Sequence, residues 1–214
     1  MNLEVFPALA ATTLGFPAGW LAWQVCRRLT GGRPVPDAWR IGLGLAALFL
    51  WGALAGPDGW LLAATLLLGW TLATLSLIDM ATFRLPNLLT YPLILAGLIL
   101  SGLLPGPDPV GHLVGAAAGY GALALVALVY RRVRGREGLG LGDAKLMAAG
   151  GAWLGWQALP TVLLAACACA ILWIGFERVR RHSLSASQPI AFGPALCAGI
   201  WLVWLFGPLQ PVPV

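Results

Sequence analysis

Apolar runs alternate along this chain with short segments rich in arginine, glycine and proline. The runs occupy residues 5–26, 41–55, 60–78, 88–104, 111–130, 144–159, 160–176 and 190–207. Roughly 20 consecutive apolar residues are needed for a helix to cross a bilayer. The pattern therefore predicts an all-α fold, a polytopic membrane helical bundle of about eight transmembrane segments. Pro7 and Pro17 fall inside the first run, which membrane helices tolerate. The run at 41–55 is short for a span. Gly56-Pro57-Asp58-Gly59 and Pro105-Gly106-Pro107-Asp108-Pro109 read as turns. Pro86 is placed to open a helix, where its missing N–H costs nothing. The runs on either side of Pro160 have almost no loop between them, which predicts a tight hairpin or a re-entrant pair there.

Composition sharpens this picture. Of the 214 residues, 59% are hydrophobic and 10% charged, whereas soluble domains carry about 25% charged residues. The formal charge of +5 does not point to nucleic acid, because the arginines lie in short segments between apolar runs. There they report orientation. With strict alternation, the segments holding Arg27, Arg28, Arg33 and Arg40, then Arg84, then Arg131, Arg132, Arg134 and Arg136, then Arg178, Arg180 and Arg181, all fall on one side, with Lys145 at its edge. Glu4, Asp58 and Asp108 fall on the other. The expected topology puts the basic side in the cytoplasm and both termini outside it. The first apolar run lacks a basic region before it, so no cleavable signal is expected.

Two carboxylates interrupt this pattern. Asp79 ends the third run, and Asp143 opens the sixth within Gly140-Leu141-Gly142-Asp143. In the expected topology both lie at the cytoplasmic edge, although they are far apart in sequence. Ionisable groups at membrane depth are costly and mark function by default. Two carboxylates in one site do not ionise together easily, so one holds a proton while the other accepts one. Such a pair can hydrolyse a peptide: one activates water, the other protonates the carbonyl oxygen. The plainer reading makes Asp143 a helix N-cap. Asp79 at a helix C-terminus opposes the dipole, and that reading explains it less well. Gly140 and Gly142 are expected to allow a tight turn and leave space beside the carboxylate.

Lys145, the only lysine, is either an interfacial anchor or a group that tunes the site or holds an anion. Glu137 is a candidate contact for a basic substrate segment, or a solvated loop residue. Cys26, Cys167, Cys169 and Cys197 lie in or beside apolar runs without a C-x-x-C, and His112 and His182 fall on opposite faces, so no metal site is expected.

At these residues the chain resembles the type IV prepilin peptidases, the bacterial branch of the GxGD-type membrane aspartyl proteases. Three stretches carry the likeness: Ser76-Leu77-Ile78-Asp79 with Arg84-Leu85-Pro86-Asn87 and Leu89-Thr90; Glu137 through Gly140-Leu141-Gly142-Asp143-Ala144-Lys145-Leu146 into Gly151-Ala152-Trp153-Leu154-Gly155-Trp156; and Pro189-Ile190-Ala191-Phe192-Gly193-Pro194. They span residues 60–207, the core of a single membrane-embedded peptidase domain covering 1–214. Residues 1–59 would supply two further spans and a short basic loop. Before Trp60 only Gly15, Gly19 and Arg27-Arg28 are similar to the family.

The resemblance implies an inner-membrane endopeptidase that removes the basic leader of prepilins or pseudopilins at the cytoplasmic face. Asp79 and Asp143 match the two catalytic aspartates, and no cofactor is implied. Longer members carry two C-x-x-C pairs after the first span and also N-methylate the product. Here the loop 27–40 holds no cysteine, so the likeness extends to the peptidase and not to methyl transfer. Membrane lipids are expected partners and nucleic acid is not. Two other readings remain beside it: a proton-coupled transporter using the aspartates, and a non-catalytic scaffold for pilus or secretion assembly.

Overall fold

The computed structural model describes residues 5–55, 59–103, 108–135, 140–181 and 191–207. Among them lie eight α-helices and one 3-10 turn: α1 (Val5–Leu29), α2 (Ala38–Leu54), α3 (Gly59–Thr82), α4 (Asn87–Leu103), α5 (Pro109–Arg134), α6 (Leu141–Leu154), the turn Trp156–Ala158, α7 (Leu159–Arg181) and α8 (Gly193–Phe206). The fold class is the expected all-α membrane bundle. Among the described residues, three stretches are long and apolar enough to cross a bilayer unaided: Gly59–Thr82, Pro109–Arg134 and Trp156–Arg180. The chain divides into two compact units, Met1–Phe83 and Arg84–Val214.

In the first unit, α1 and α2 meet backbone to backbone. A Cβ built on Gly15 would collide with Ala46 Cα, and one on Gly19 with Gly42 Cα. Four residues forward on α1 pair with four back on α2, so the helices run antiparallel with small residues at the crossing. In lipid the solvent is as apolar as leucine, so close van der Waals approach drives helix association. Around the crossing, Ala11, Ala22, Ile41, Leu45 and Phe49 form a buried core, flanked by Trp70 and Leu77 of α3. The Trp70 indole donates to the Ala18 carbonyl at 3.0 Å and ties α3 to α1. Buried hydroxyls on α3 are satisfied within their own helix: Thr65, Thr71 and Thr74 donate to Leu61, Leu67 and Trp70 carbonyls at 2.7–2.9 Å.

In the second unit α6 is the axis. From Asp143 to Trp153 every residue except Lys145 is buried, as befits a helix apolar on all sides. Its alanines and glycines let neighbours come close. A Cβ on Gly151 would strike the Gly115 carbonyl of α5, and one on Gly119 would lie 2.6 Å from the Met147 carbonyl. Gly97 of α4 abuts Ala152 and Trp153, while Gly150 faces Ile200 of α8 at 3.1 Å. On the far side of α8, Gly199 lies against Val162 and Ala166 of α7.

Helix ends explain where sequence and structure differ. The hairpin expected at Pro160 turns instead at Gly155, whose φ of +78° ends α6. Pro160 sits in the first turn of α7, a position its ring favours. The arginines expected in loops mostly continue helices: Arg27 and Arg28 close α1, Arg131, Arg132 and Arg134 close α5, and α7 runs on through Glu177 to Arg181. Cations at a helix C-terminus complement its dipole. Asp108 caps α5, its carboxylate accepting from the Val110 and Gly111 amides at 3.0 Å each. Gly135 ends that helix at φ +66°. The expected turns at 56–59 and 105–109 lie largely outside the described residues, as do Glu4 and His182.

The contact of Gly151 with Gly115 is backbone against backbone, so no side chain can yield there. Gly151→Ala is expected to destabilise the second unit by about 1–3 kcal/mol. Gly121→Ala, where nothing lies within 4 Å, should leave the melting temperature in detergent unchanged or slightly raised. Equal melting of both variants would refute the contact.

Candidate active site

Asp79 belongs to the first unit. It lies in the last turn of α3 with 5% of its surface exposed, and Leu75 and Ile78 beside it are buried. The helix ends four residues later at Phe83, a non-glycine residue at φ +55°, where a side chain costs about 1–2 kcal/mol. This left-handed residue turns its N–H back onto the Asp79 carbonyl at 2.8 Å. Thr82 donates its hydroxyl to the Ile78 carbonyl at 2.8 Å. Arg33, from the loop between α1 and α2, donates Nη1 to the Ala81 carbonyl at 2.9 Å. The last carbonyls of a helix have no partner within it, and here an arginine distant in sequence supplies one. Both flanks of Asp79 are thus pinned by the first unit itself.

Asp143 belongs to the second unit and is 9% exposed. The helix N-cap is Gly140, with no side-chain cap, so Asp143 stands three residues inside α6 and is not the N-cap. Its amide donates to the Gly140 carbonyl at 3.1 Å. A carboxylate here faces the positive end of the helix dipole, whereas Asp79 sits at the negative end of its own helix.

The two glycines do something other than permit a strained turn. Gly140 has φ −75° and ψ 142°, open to any residue. A Cβ there would stand beside the carboxylate, 3.7 Å from Asp143 Oδ2, at an ordinary contact distance. Gly142 also avoids positive φ. It backs onto Leu85, whose Cβ would be 3.1 Å from a methyl placed there.

Lys145 is half-buried and engaged. Its Nζ donates to Asn87 Oδ1 at 2.7 Å and lies 5.3 Å from the centre of the Tyr91 ring. The second unit therefore brings Leu85 and Asn87 of one recognised stretch against Gly142 and Lys145 of another. Within this stretch the sequence shows Pro86 placed to open a helix, whereas the contacts of Leu85 and Asn87 arise only in the fold. Tyr91, one helical turn beyond Asn87, was missed. A tyrosine one turn after an asparagine near a lone lysine was the available signal.

The Gly-Ala-Trp-Leu-Gly-Trp stretch anchors the other end of α6. Trp153 donates its indole to the Leu93 carbonyl at 2.8 Å and meets Trp204 edge-on at 5.4 Å. The His112 ring bonds the Ala152 carbonyl at 3.0 Å. Glu137 lies outside the described residues. Among the described residues no three His, Cys, Asp or Glu side chains are grouped to hold a metal ion.

A family model described as the type IV leader peptidase family matches residues 66–175, an interval that contains both aspartates. The chain is similar to prepilin leader peptidase/N-methyltransferases of several bacteria. The protein of Aeromonas salmonicida is 46% identical over 157 residues, 72% of this chain and 53% of that protein. That of Aeromonas hydrophila is 40% identical over 192 residues, 87% and 65% respectively. That of Pseudomonas aeruginosa is 42% identical over 168 residues, 76% and 57%. The chain thus spans 53% to 65% of the length of these relatives. No solved structure matches it significantly.

Arg33→Ala removes the partner of the Ala81 carbonyl. Losing one such bond, about 1 kcal/mol, is expected to raise hydrogen exchange at the Phe83 amide about fivefold, while amides of α6 keep their rates. Gly142→Ala should lower the melting temperature by a few degrees through its contact with Leu85, and Leu85→Ala should restore part of that loss. An Arg33→Ala protein with unchanged Phe83 exchange, or additive losses at 142 and 85, would contradict these contacts.

Proposed function

The chain belongs to the type IV leader peptidase family, and on that premise we propose that it is a membrane aspartic endopeptidase with Asp79 and Asp143 as its catalytic pair. The observation that carries this reading is that each aspartate is buried at the end of a helix of a largely apolar bundle, inside the interval the family model matches. A buried carboxylate is costly to maintain. Two of them, each in a turn braced by its own surroundings, are better explained by chemistry than by folding.

The proposed reaction is direct hydrolysis. One carboxylate takes a proton from water as its oxygen adds to the scissile carbonyl carbon. The other, protonated, donates to the carbonyl oxygen. The tetrahedral intermediate then collapses, the C–N bond breaks, and a proton passes to the departing amine. Gly140 leaves room beside Asp143 for a substrate to approach.

The proposed substrates are prepilins or pseudopilins, cut between basic leader and hydrophobic helix. Their arginines and lysines would meet carboxylates at the site, and Glu137 is a proposed contact for the leader. The proposed location is the inner membrane, with the site toward the cytoplasm and both termini on the other side, because the arginines gather at one set of segment ends. The apolar outer faces of α5 and α7, with Leu125, Val126, Leu172 and Trp173 exposed, suit contact with lipid chains. The segment 27–40 holds no cysteine, and methyl transfer is not part of the proposal.

Asp79→Asn and Asp143→Asn are each expected to reduce leader removal by at least ~10²–10⁴-fold, with melting temperatures close to the parent's. Co-expression with candidate prepilins, read by intact mass, measures the lost leader and would show any added methyl group. Retained processing by either variant would refute the catalytic pair.

A further inference from the structure

Lys145 is the one residue between Asp143 and Trp153 that is not buried, and its ammonium, at an exposed position, meets two groups of one neighbouring helix. It is held between the Asn87 amide oxygen at 2.7 Å and the Tyr91 ring at 5.3 Å. At 2.7 Å the bond is in the short range typical of a charged donor. Asn87 opens α4 and Tyr91 lies one turn further on the same helix.

Helix geometry gives this contact its meaning. Gly142 and Lys145 are three apart and share a face of α6. That face meets the segment Leu85–Tyr91 at two points: Leu85 against Gly142, and Asn87 with Tyr91 around Lys145. At about 100° per residue, Asp143 points well away from that face. The contact therefore fixes the rotation of the first turn of α6 without touching the carboxylate. The N-terminal turn of a helix frays most readily, and Gly140 provides no side-chain cap.

We propose that Lys145 is a positioning residue: clamped by Asn87 and Tyr91, it locks the first turn of α6 so that Asp143 is held in its reactive direction. This rests on the reading of Asp143 as a catalytic group. A displacement of about 1 Å in a reacting group costs on the order of 10²-fold in rate, which sets the size of the expected effect.

The test uses the full chain in proteoliposomes with one purified prepilin, resolving kcat from KM. Lys145→Met and Asn87→Leu should each lower kcat by about 10- to 100-fold with KM within about twofold. The double variant should be no worse than the poorer single one, because both remove one contact. Lys145→Arg and Asn87→Asp retain a charged donor facing an acceptor and should recover most of the loss. Wild-type kcat in Lys145→Met, multiplying losses in the double variant, or a rise confined to KM would overturn the proposal; the last outcome would make Lys145 a substrate contact. If Lys145→Met does not fold, Asn87→Leu against Asn87→Asp decides the same point. Asp143→Asn is measured alongside. Full activity there sinks the catalytic reading and this proposal with it, whereas an inactive Asp143→Asn beside a fully active Lys145→Met sinks this proposal alone.

Discussion

The approach of Gly115 to Gly151 is the contact on which the second unit depends. Two helical backbones come this close only where at least one of them lacks a Cβ at the contact. In a bilayer no hydrophobic force draws one apolar helix to another, so this touching supplies the attraction itself. The same device recurs at Gly119 with Met147, at Gly97 with Ala152, and in the first unit at Gly15 with Ala46 and Gly19 with Gly42. From Asp143 to Trp153 every residue of α6 but Lys145 is buried. Asp143, at the start of this enclosed helix, is itself 9% exposed.

Each aspartate is supported at its own helix end by different means. The turn bearing Asp79 is fastened by Arg33, Thr82 and the left-handed Phe83. The turn bearing Asp143 is backed by Leu85 and flanked by Lys145 on Asn87. The helix dipoles act on the two with opposite sign, disfavouring negative charge at Asp79 and favouring it at Asp143. Asymmetry of this kind suits a pair proposed to divide the roles of acid and base.

Much of this was legible in the sequence because apolar length is a strong signal. The runs beginning at Trp60 and Gly111 became α3 and α5, with ends extended by a few residues. Arginine clusters were harder to place, because a basic residue marks a membrane edge whether it continues a helix or leaves it. Pro160 misled as to the α6–α7 junction: proline is at home in a first turn, and the decisive signal was Gly155, whose φ only glycine adopts readily. The aspartates and the lone lysine stood out by their rarity. Their supports were harder to read: Leu85 and Asn87 carry part of the family likeness, yet what they touch arises from folding, as it does for Tyr91 and Arg33.

The end of α3 has a further consequence for how a polypeptide could lie there. The carbonyls of Ile78, Asp79 and Ala81 already accept from Thr82, Phe83 and Arg33. An extended chain arriving at this turn would meet three carbonyls that each already hold a donor from the first unit. The acceptors nearest Asp79 are thereby committed to holding its turn in place.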